Sequence, residues 1–353
     1  MAIYKDFNIQ DPDSPISSDV VTNVKDTVSS GMWADGAGSL TSFFTSSTQE
    51  TNSGTYYLDV YDKNPQSDST GTVQFSVAYG HIHGSGSAGT KGVDGNRESA
   101  TIYRQLSNTL LGPTEERFSF ADSGGDHTTP HYVYAISIAR AQLREKMDPG
   151  NWELHLSASG GPGNVMKLID DSGATTNPTV NQGGRVFNVV SGSISAGVAE
   201  IKTAATAQPG GGLGLFYPDT GIIVLNGPVI GSPASASLSA SIASNTEGDN
   251  TSKFFQKIEK GEYFAARREE VITSQHYFCR VPNKEFNFSS NPTFTTGSAG
   301  SFTVPTFFKN PKVFITQVGL YNDDNELLAV AKLSKPLLKS YSREAIIKVK
   351  LDF

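Results

Sequence analysis

In the stretch Val73-Gln-Phe-Ser-Val-Ala-Tyr79 every second side chain is large and apolar. Successive side chains of an extended strand point to opposite faces, so this alternation predicts a strand with one face turned to a core. The pattern recurs at the end of the chain, where Ile347, Val349, Leu351 and Phe353 alternate with Lys348, Lys350 and Asp352. Further strands are predicted over 55–61, 133–139, 153–157, 166–169, 186–190, 213–225, 271–281, 302–307, 313–321 and 327–333. Within 213–225 the run Pro218-Asp-Thr-Gly221 supplies a hairpin turn, and Asn322-Asp-Asp-Asn325 supplies another. Asp148-Pro-Gly-Asn151 is expected to turn the chain as well.

Helical spacing is rarer. Ile102, Leu106 and Leu110 stand four apart and are followed by Gly112-Pro113, which predicts a helix over 97–111. Short helical pieces are expected over 142–147 and 253–260, the second through Phe254, Phe255 and Ile258. Near the start, Ser18 as a cap and Val20, Val21, Val24 and Val28 on one side predict a short helix ended by Gly31.

These patterns predict a mainly β protein with a few short helices, in several β-sandwich-like domains. The expected division is an N-terminal arm over 1–53, a mainly β domain with one inserted helix and Ser/Gly-rich loops over 54–250, and a C-terminal β domain over 251–353. Composition agrees: 35 glycines serve tight turns, aromatic residues make up 10% of the chain, and charged residues only 18%. The single cysteine, Cys279, excludes an intramolecular disulfide and a cysteine zinc cluster. The N-terminal residues carry no apolar signal segment. The longest apolar runs, such as Leu327 to Ala331, fall far short of the roughly 20 residues of a membrane helix.

The net charge of −7 is unevenly spread. Residues 253–353 hold 15 Lys and Arg against 10 Asp and Glu, a net of +5, and the rest of the chain nets −12. Such a split can orient partners, or it can be ordinary solvated surface. No basic cluster interleaved with aromatics suggests nucleic-acid binding.

Signals for chemistry are weak. Gly84-Ser-Gly-Ser-Ala-Gly89 has the spacing of a dinucleotide-binding loop, but that chemistry requires a helix to begin at once, and a mobile loop is expected instead. His81 and His83 would share one face of an extended strand, as metal ligands do, with His127 and His131 as possible additions. Without a carboxylate at fixed spacing the expectation is loop histidines and no metal. Cys279 and His276 should fall on opposite faces of a strand, leaving Cys279 as a small apolar side chain. Asp170-Asp171 and Asp323-Asp324 suit turns better than glycoside hydrolysis. No catalytic residue and no cofactor are expected.

The C-terminal third adds a resemblance. His276-Tyr-Phe-Cys-Arg-Val-Pro-Asn283, Glu285-Phe-Asn-Phe-Ser-Ser-Asn-Pro-Thr-Phe294, Ile315-Thr-Gln-Val-Gly-Leu-Tyr-Asn322, Glu326-Leu-Leu-Ala-Val-Ala-Lys-Leu-Ser-Lys-Pro336 and Ile347-Lys-Val-Lys-Leu-Asp-Phe353 resemble virion structural proteins of T-even-like myophages, especially those of marine cyanobacteria. The resemblance implies a non-enzymatic component of a contractile tail, in the baseplate or at a fibre attachment. It would be made in the host cytoplasm, present in several copies, and docked on other tail proteins. It implies no nucleic acid and no membrane insertion. The alternatives are a module that recognises host glycan and, less favoured, a tail depolymerase.

Overall fold

The structure is a computed structural model that describes residues 20–46, 57–86, 98–121, 127–158, 164–174, 178–203, 212–231, 250–289 and 291–352. Strand β1 covers Val20–Gly31, β2 Ser39–Leu40, β3 Tyr57–Tyr61 and β4 Val73–His81. Helix α1 (Glu98–Leu110) is followed by β5 (Phe120–Ala121), β6 (His127–Thr128), β7 (Tyr132–Ile138) and the single-turn helix α2 (Arg140–Leu143). Then come β8 (Lys146–Ser157), β9 (Val165–Asp170), β10 (Thr179–Asn181), β11 (Gly184–Ser195) and β12 (Val198–Thr203). A hairpin of β13 (Gly214–Tyr217) and β14 (Ile222–Asn226) leads into α3 (Gly227–Ile230) and α4 (Asn250–Glu259). The rest is β15 (Phe264–Val281), β16 (Thr295–Thr296), β17 (Ser301–Phe302), β18 (Val313–Tyr321), β19 (Leu327–Lys339) and β20 (Ala345–Asp352). The protein is therefore mainly β with a few short helices. The chain packs as two compact units, one of residues 28–270 and one of 1–27 with 271–353, so the division falls inside β1 and β15.

The larger unit is one curled antiparallel sheet. Its strands follow the order β1, β15, β8, β9, β11, β13, β14, β7, β4, β3, with β10 and β12 also paired to β11, and β5 and β6 form a separate two-stranded sheet. Alternation along these strands sorts their side chains onto two faces. Leu58, Phe75, Val77, Ile136, Ile223, Phe216, Val189, Leu168, Leu154 and Phe264 all enter one buried cluster. Every strand from β15 to β3 in this order contributes to that cluster, so it is the concave face. Helix α4 fills the hollow with Phe254, Phe255 and Ile258, the side chains its sequence spacing predicted. Val133, Tyr217 and Val224 face the other way and pack against Tyr103 and Leu110 of α1. The buried stripe of α1 runs through Tyr103, Ser107 and Leu110, and Leu106 of the predicted stripe is only half-buried. Gly80 on β4 permits the close approach of α1, because a Cβ there would lie 3.1 Å from the backbone of Tyr103.

A short strap joins the two ends of the curl. Ser39 and Leu40 pair with Ala265 and Phe264 of β15, and Phe44 exchanges two backbone hydrogen bonds with Tyr61 of β3, at 3.1 and 2.8 Å. Trp33, fully buried, begins the strap. Its indole Nε1 donates to the Phe264 carbonyl at 2.9 Å, and its ring lies 4.8 Å from Phe264 and 5.9 Å from Phe75. Gln74, on the polar side of β4, is buried too and accepts the Ala34 N–H at 3.0 Å.

Several sequence expectations are corrected. Residues 20–31 form β1 and not a helix, since its β-branched Val and Thr residues favour strands and β15 supplies a partner. Ser18 lies outside the described residues. Asp148–Asn151 does not separate two strands: Trp152 pairs with Ala266 and Met147 with Arg268, so the four residues bulge out of β8. Gly150 takes φ +81° there, and its N–H is held by Asp170 at 2.8 Å. The strand predicted over 302–307 stops at Phe302, and Pro305, which has no N–H for a ladder, opens a 3-10 turn over Pro305–Phe308.

In the smaller unit β20 pairs with β15 from Ser274↔Asp352 to Val281↔Ala345, and β18 with β19 forms a two-stranded ribbon. Ile347 and Val349 are buried as their alternation predicted, whereas Phe353 lies outside the described residues.

The strap gives a stability prediction. Trp33→Ala empties a fully buried site and should lower unfolding stability by about 3–5 kcal/mol in denaturant titration. Trp33→Phe keeps most of the burial and loses one hydrogen bond, a cost of about 1 kcal/mol beyond repacking. Equal stability of all three proteins would show that the strap is not a fastener.

Candidate docking surface

The ribbon has one packed face. Leu320, Val318, Ile315, Ala329, Ala331 and Leu337 join Ile347 and Val349 of β20 and Tyr277 of β15 in one apolar cluster. Cys279 packs against the same cluster as a small apolar side chain. His276, three residues earlier, pairs with Lys350.

The other face is open and partly apolar, with the exposed Gln317–Lys332 pair between Phe314 and Val330. Tyr321, Leu327, Leu328, Val330 and Phe314 are all exposed. Tyr321 pairs with Leu327 and Leu320 with Ala329, so Leu328 bulges between them and is 67% exposed. Gly319 stands opposite Val330, and a Cβ on it would lie 2.9 Å from the Tyr321 ring and 3.2 Å from Leu327. The two side chains thus lie over a gap in the ladder and form a smooth apolar saddle. Asn322 and Glu326 close the hairpin: the Glu326 N–H donates to Asn322 Oδ1 at 2.7 Å, and the Asn322 amide donates to Glu326 at 3.0 Å. Asp323 and Asp324 sit in this exposed turn, as expected of turn residues. The cluster of exposed Tyr321, Leu327, Leu328 and Val330 at the hairpin end is the kind of apolar surface that marks contact sites.

A second apolar feature stands between β15 and β18. Phe294 packs edge-on against Phe288, Phe302 and Phe307, with ring centres 5.4, 5.3 and 5.0 Å away. Lys339, at the end of β19, is fully buried and ties down the start of this segment. Its ammonium donates to Asn287 Oδ1 at 2.7 Å, to the Asn283 carbonyl at 3.4 Å and to the Glu285 carbonyl. Burial holds its pKa below the usual lysine range, and the Glu285 charge opposes that shift. Nothing in the sequence singles out Lys339, because its partners lie about fifty residues away in the chain.

The histidines come together in part. His81 ends β4, and His83 sits beyond the strand in a turn, so the shared strand face expected for the pair does not form. Their rings are nevertheless 6.0 Å apart, and His131 lies 6.3 Å from His81 and 5.5 Å from His83. His127 is on β6. His81 Nδ1 accepts the N–H groups of His83 and Ser85 at 3.0 and 3.3 Å, which leaves the ring proton on Nε2. Neither nitrogen then offers a lone pair to a metal, whereas a ligating histidine donates its other ring N–H to an acceptor. Among the described residues no group of His, Cys, Asp or Glu is arranged to hold a metal. Burial, then the neighbouring His83 and His131, push the His81 pKa down to about 4.

Other sequence candidates are absorbed by structure. Gly86 takes φ +75° and its carbonyl accepts from Asn250 of α4 at 2.6 Å, while the next helix begins only at Glu98. Ser87, Ala88 and Gly89 lie outside the described residues. Asp170 accepts the N–H groups of Gly150 and Ser172, and Asp171 binds the backbone and side-chain amides of Asn188. Burial raises the Asp170 pKa.

Two predictions arise. Lys339→Met removes a shared donor from Asn287 Oδ1 and the Asn283 and Glu285 carbonyls and should cost about 1–3 kcal/mol. It should also speed tryptic cleavage at Lys284, Lys309 and Lys312, and unchanged cleavage would show that the ammonium does not hold this segment. His81 has a folded pKa below its unfolded value of about 6.5, so its cost to stability is absent above that pH and grows as pH falls towards 4. His81→Asn keeps an acceptor for the two N–H groups but does not titrate. Its melting temperature should fall less between pH 7 and pH 5 than that of the parent, and an equal fall would assign the acid sensitivity elsewhere.

Comparison of the chain with family models, with curated proteins and with solved structures yields no match.

Proposed function

We propose that this protein is a non-enzymatic structural component of a bacteriophage contractile tail, a baseplate or fibre-attachment protein that works by docking against other tail proteins. The observation that carries this reading is the ribbon of β18 and β19. One of its faces is packed, and the other holds Phe314, Tyr321, Leu327, Leu328 and Val330 exposed on a bulged two-stranded ladder. A rigid apolar face binds without an ordering cost, and stable protein contacts bury upwards of about 1,000 Å² around such a centre. The same segment carries the resemblance to myophage virion proteins, in Ile315–Asn322 and Glu326–Pro336. Asp170, Asp171 and His81, which the sequence offered to chemistry, are occupied by backbone N–H groups. In this reading the protein occurs in several copies per particle and is made in the host cytoplasm before assembly.

Antibody labelling of purified particles tests the location, and label confined to the tail is expected. Particles produced with Leu328→Asp and Val330→Asp should lack the protein, although the variant accumulates in soluble, folded form. Label on the capsid alone, or normal incorporation of the double variant, would overturn the reading.

A further inference from the structure

The aromatic segment between β15 and β18 has a chemistry distinct from that of the ribbon. From Phe286 to Asn322 the sequence contains no acidic residue, while Lys309 and Lys312 follow directly on the Pro305–Phe308 turn. Phe288, Val304 and Phe308 are 71, 58 and 76% exposed. The two phenylalanines are not loose: Phe288 leans on Phe294, and Phe308 lies 6.5 Å from Phe302, on a base of edge-packed rings. Lys339 anchors the start of the segment from within the unit. The groups around the tips are uncharged hydroxyls and amides from Thr293, Thr303, Thr306 and Asn310.

Preformed apolar tips with two ammonium groups following them, and Glu285 as the one carboxylate at the start of the segment, match an anionic bilayer surface. Aromatic and aliphatic tips enter the boundary between headgroups and acyl chains, and lysines on long stems reach the phosphates. A protein partner would need a matching hollow ringed by acids, whereas a fluid bilayer needs only the charge and the apolar area. We propose that this segment binds peripherally to membranes containing anionic phospholipid, with Phe288, Val304 and Phe308 at the acyl boundary and Lys309 and Lys312 at the phosphates. The contact is interfacial and does not span: among the described residues no helix is long and apolar enough to cross a membrane. A single such contact is weak, and several copies held in one assembly add theirs. The inference uses side chains away from the ribbon saddle and stands whether or not the protein belongs to a tail.

Sedimentation of the full chain with vesicles of phosphatidylcholine alone, and of phosphatidylcholine mixed with phosphatidylglycerol, tests it. The protein should bind the mixed vesicles, bind the neutral ones far more weakly, and come off as salt rises. Lys309→Gln and Lys312→Gln should each weaken binding about fivefold. The double variant Phe288→Ser, Phe308→Ser should weaken it at least about tenfold with an unchanged melting temperature. Phe308→Trp supplies a reporter whose emission should shift to the blue on the mixed vesicles and be quenched by brominated acyl chains. Absence of binding to mixed vesicles, equal binding to both kinds, full binding by the serine variant, or an unmoved tryptophan spectrum would each overturn the proposal. If the serine variant fails to assemble while the parent ignores vesicles, the segment is a protein contact instead. The Leu328→Asp, Val330→Asp variant should bind vesicles as the parent does, so failure of the ribbon reading and failure of this one are separable.

Discussion

The larger unit depends on the closure of its curled sheet by the strap that starts at Trp33. A twisted antiparallel sheet leaves two edges with unpaired backbone groups and a concave face open to water. The strap answers both. Its backbone pairs with β15 at Leu40 and with β3 at Phe44, and its Trp33 and Phe43 side chains enter the same cluster as Phe75 and Phe264. Helix α4 then has an enclosed hollow for Phe254, Phe255 and Ile258. Without the strap the helix would cover a trough whose rim strands compete for other partners.

The smaller unit spends its apolar residues differently. Its cluster around Leu320, Ile347 and Val349 uses one face of the ribbon, and among the described residues most of the large exposed apolar side chains lie between Phe286 and Ile346. A larger core could have absorbed them. Instead the ladder bulge at Leu328, the glycine at 319 and the ring base around Phe294 hold them outward in fixed positions. Preorganisation of this kind lowers the entropy lost on binding. Holding apolar side chains in water is costly for a chain that stays alone. The two surfaces differ in their surroundings: acids sit in the ribbon turn, and the run from Phe286 to Asn322 holds lysines and no acid.

The polar residues that invite a chemical reading serve the backbone. His81 organises the turn after β4, Asp170 and Asp171 secure the bulge and the neighbouring strand, and Asn250 pins Gly86. Each accepts or donates where a loop would otherwise leave buried amide groups unpaired, which would cost more than the residue itself contributes. The His-x-His pair shows the trap in motif reading. Spacing suggested two ligands on one strand face, but the strand ends at His81 and its ring nitrogen is engaged by the chain that follows.

Period-two alternation by itself determined the strand from Val73 to Tyr79 and the final strand through Ile347, Val349 and Leu351, because side-chain direction on an extended chain follows from local geometry alone. The helices of α1 and α4 and the turns at Pro218–Gly221 and Asn322–Asn325 were legible for the same local reason. Valine spacing misled at β1, where four valines fit a helix stripe and a strand equally well, and the partner strand β15 lies over two hundred residues away. The bulge at Asp148–Asn151 escaped because a turn-forming sequence does not reveal whether the partner strand continues past it. The order of strands, the strap across the curl, the buried Lys339 and the exposure of Leu328 were decided only by tertiary structure. Each rests on contacts between residues far apart in sequence, and neither propensity nor spacing encodes which distant segment supplies the partner.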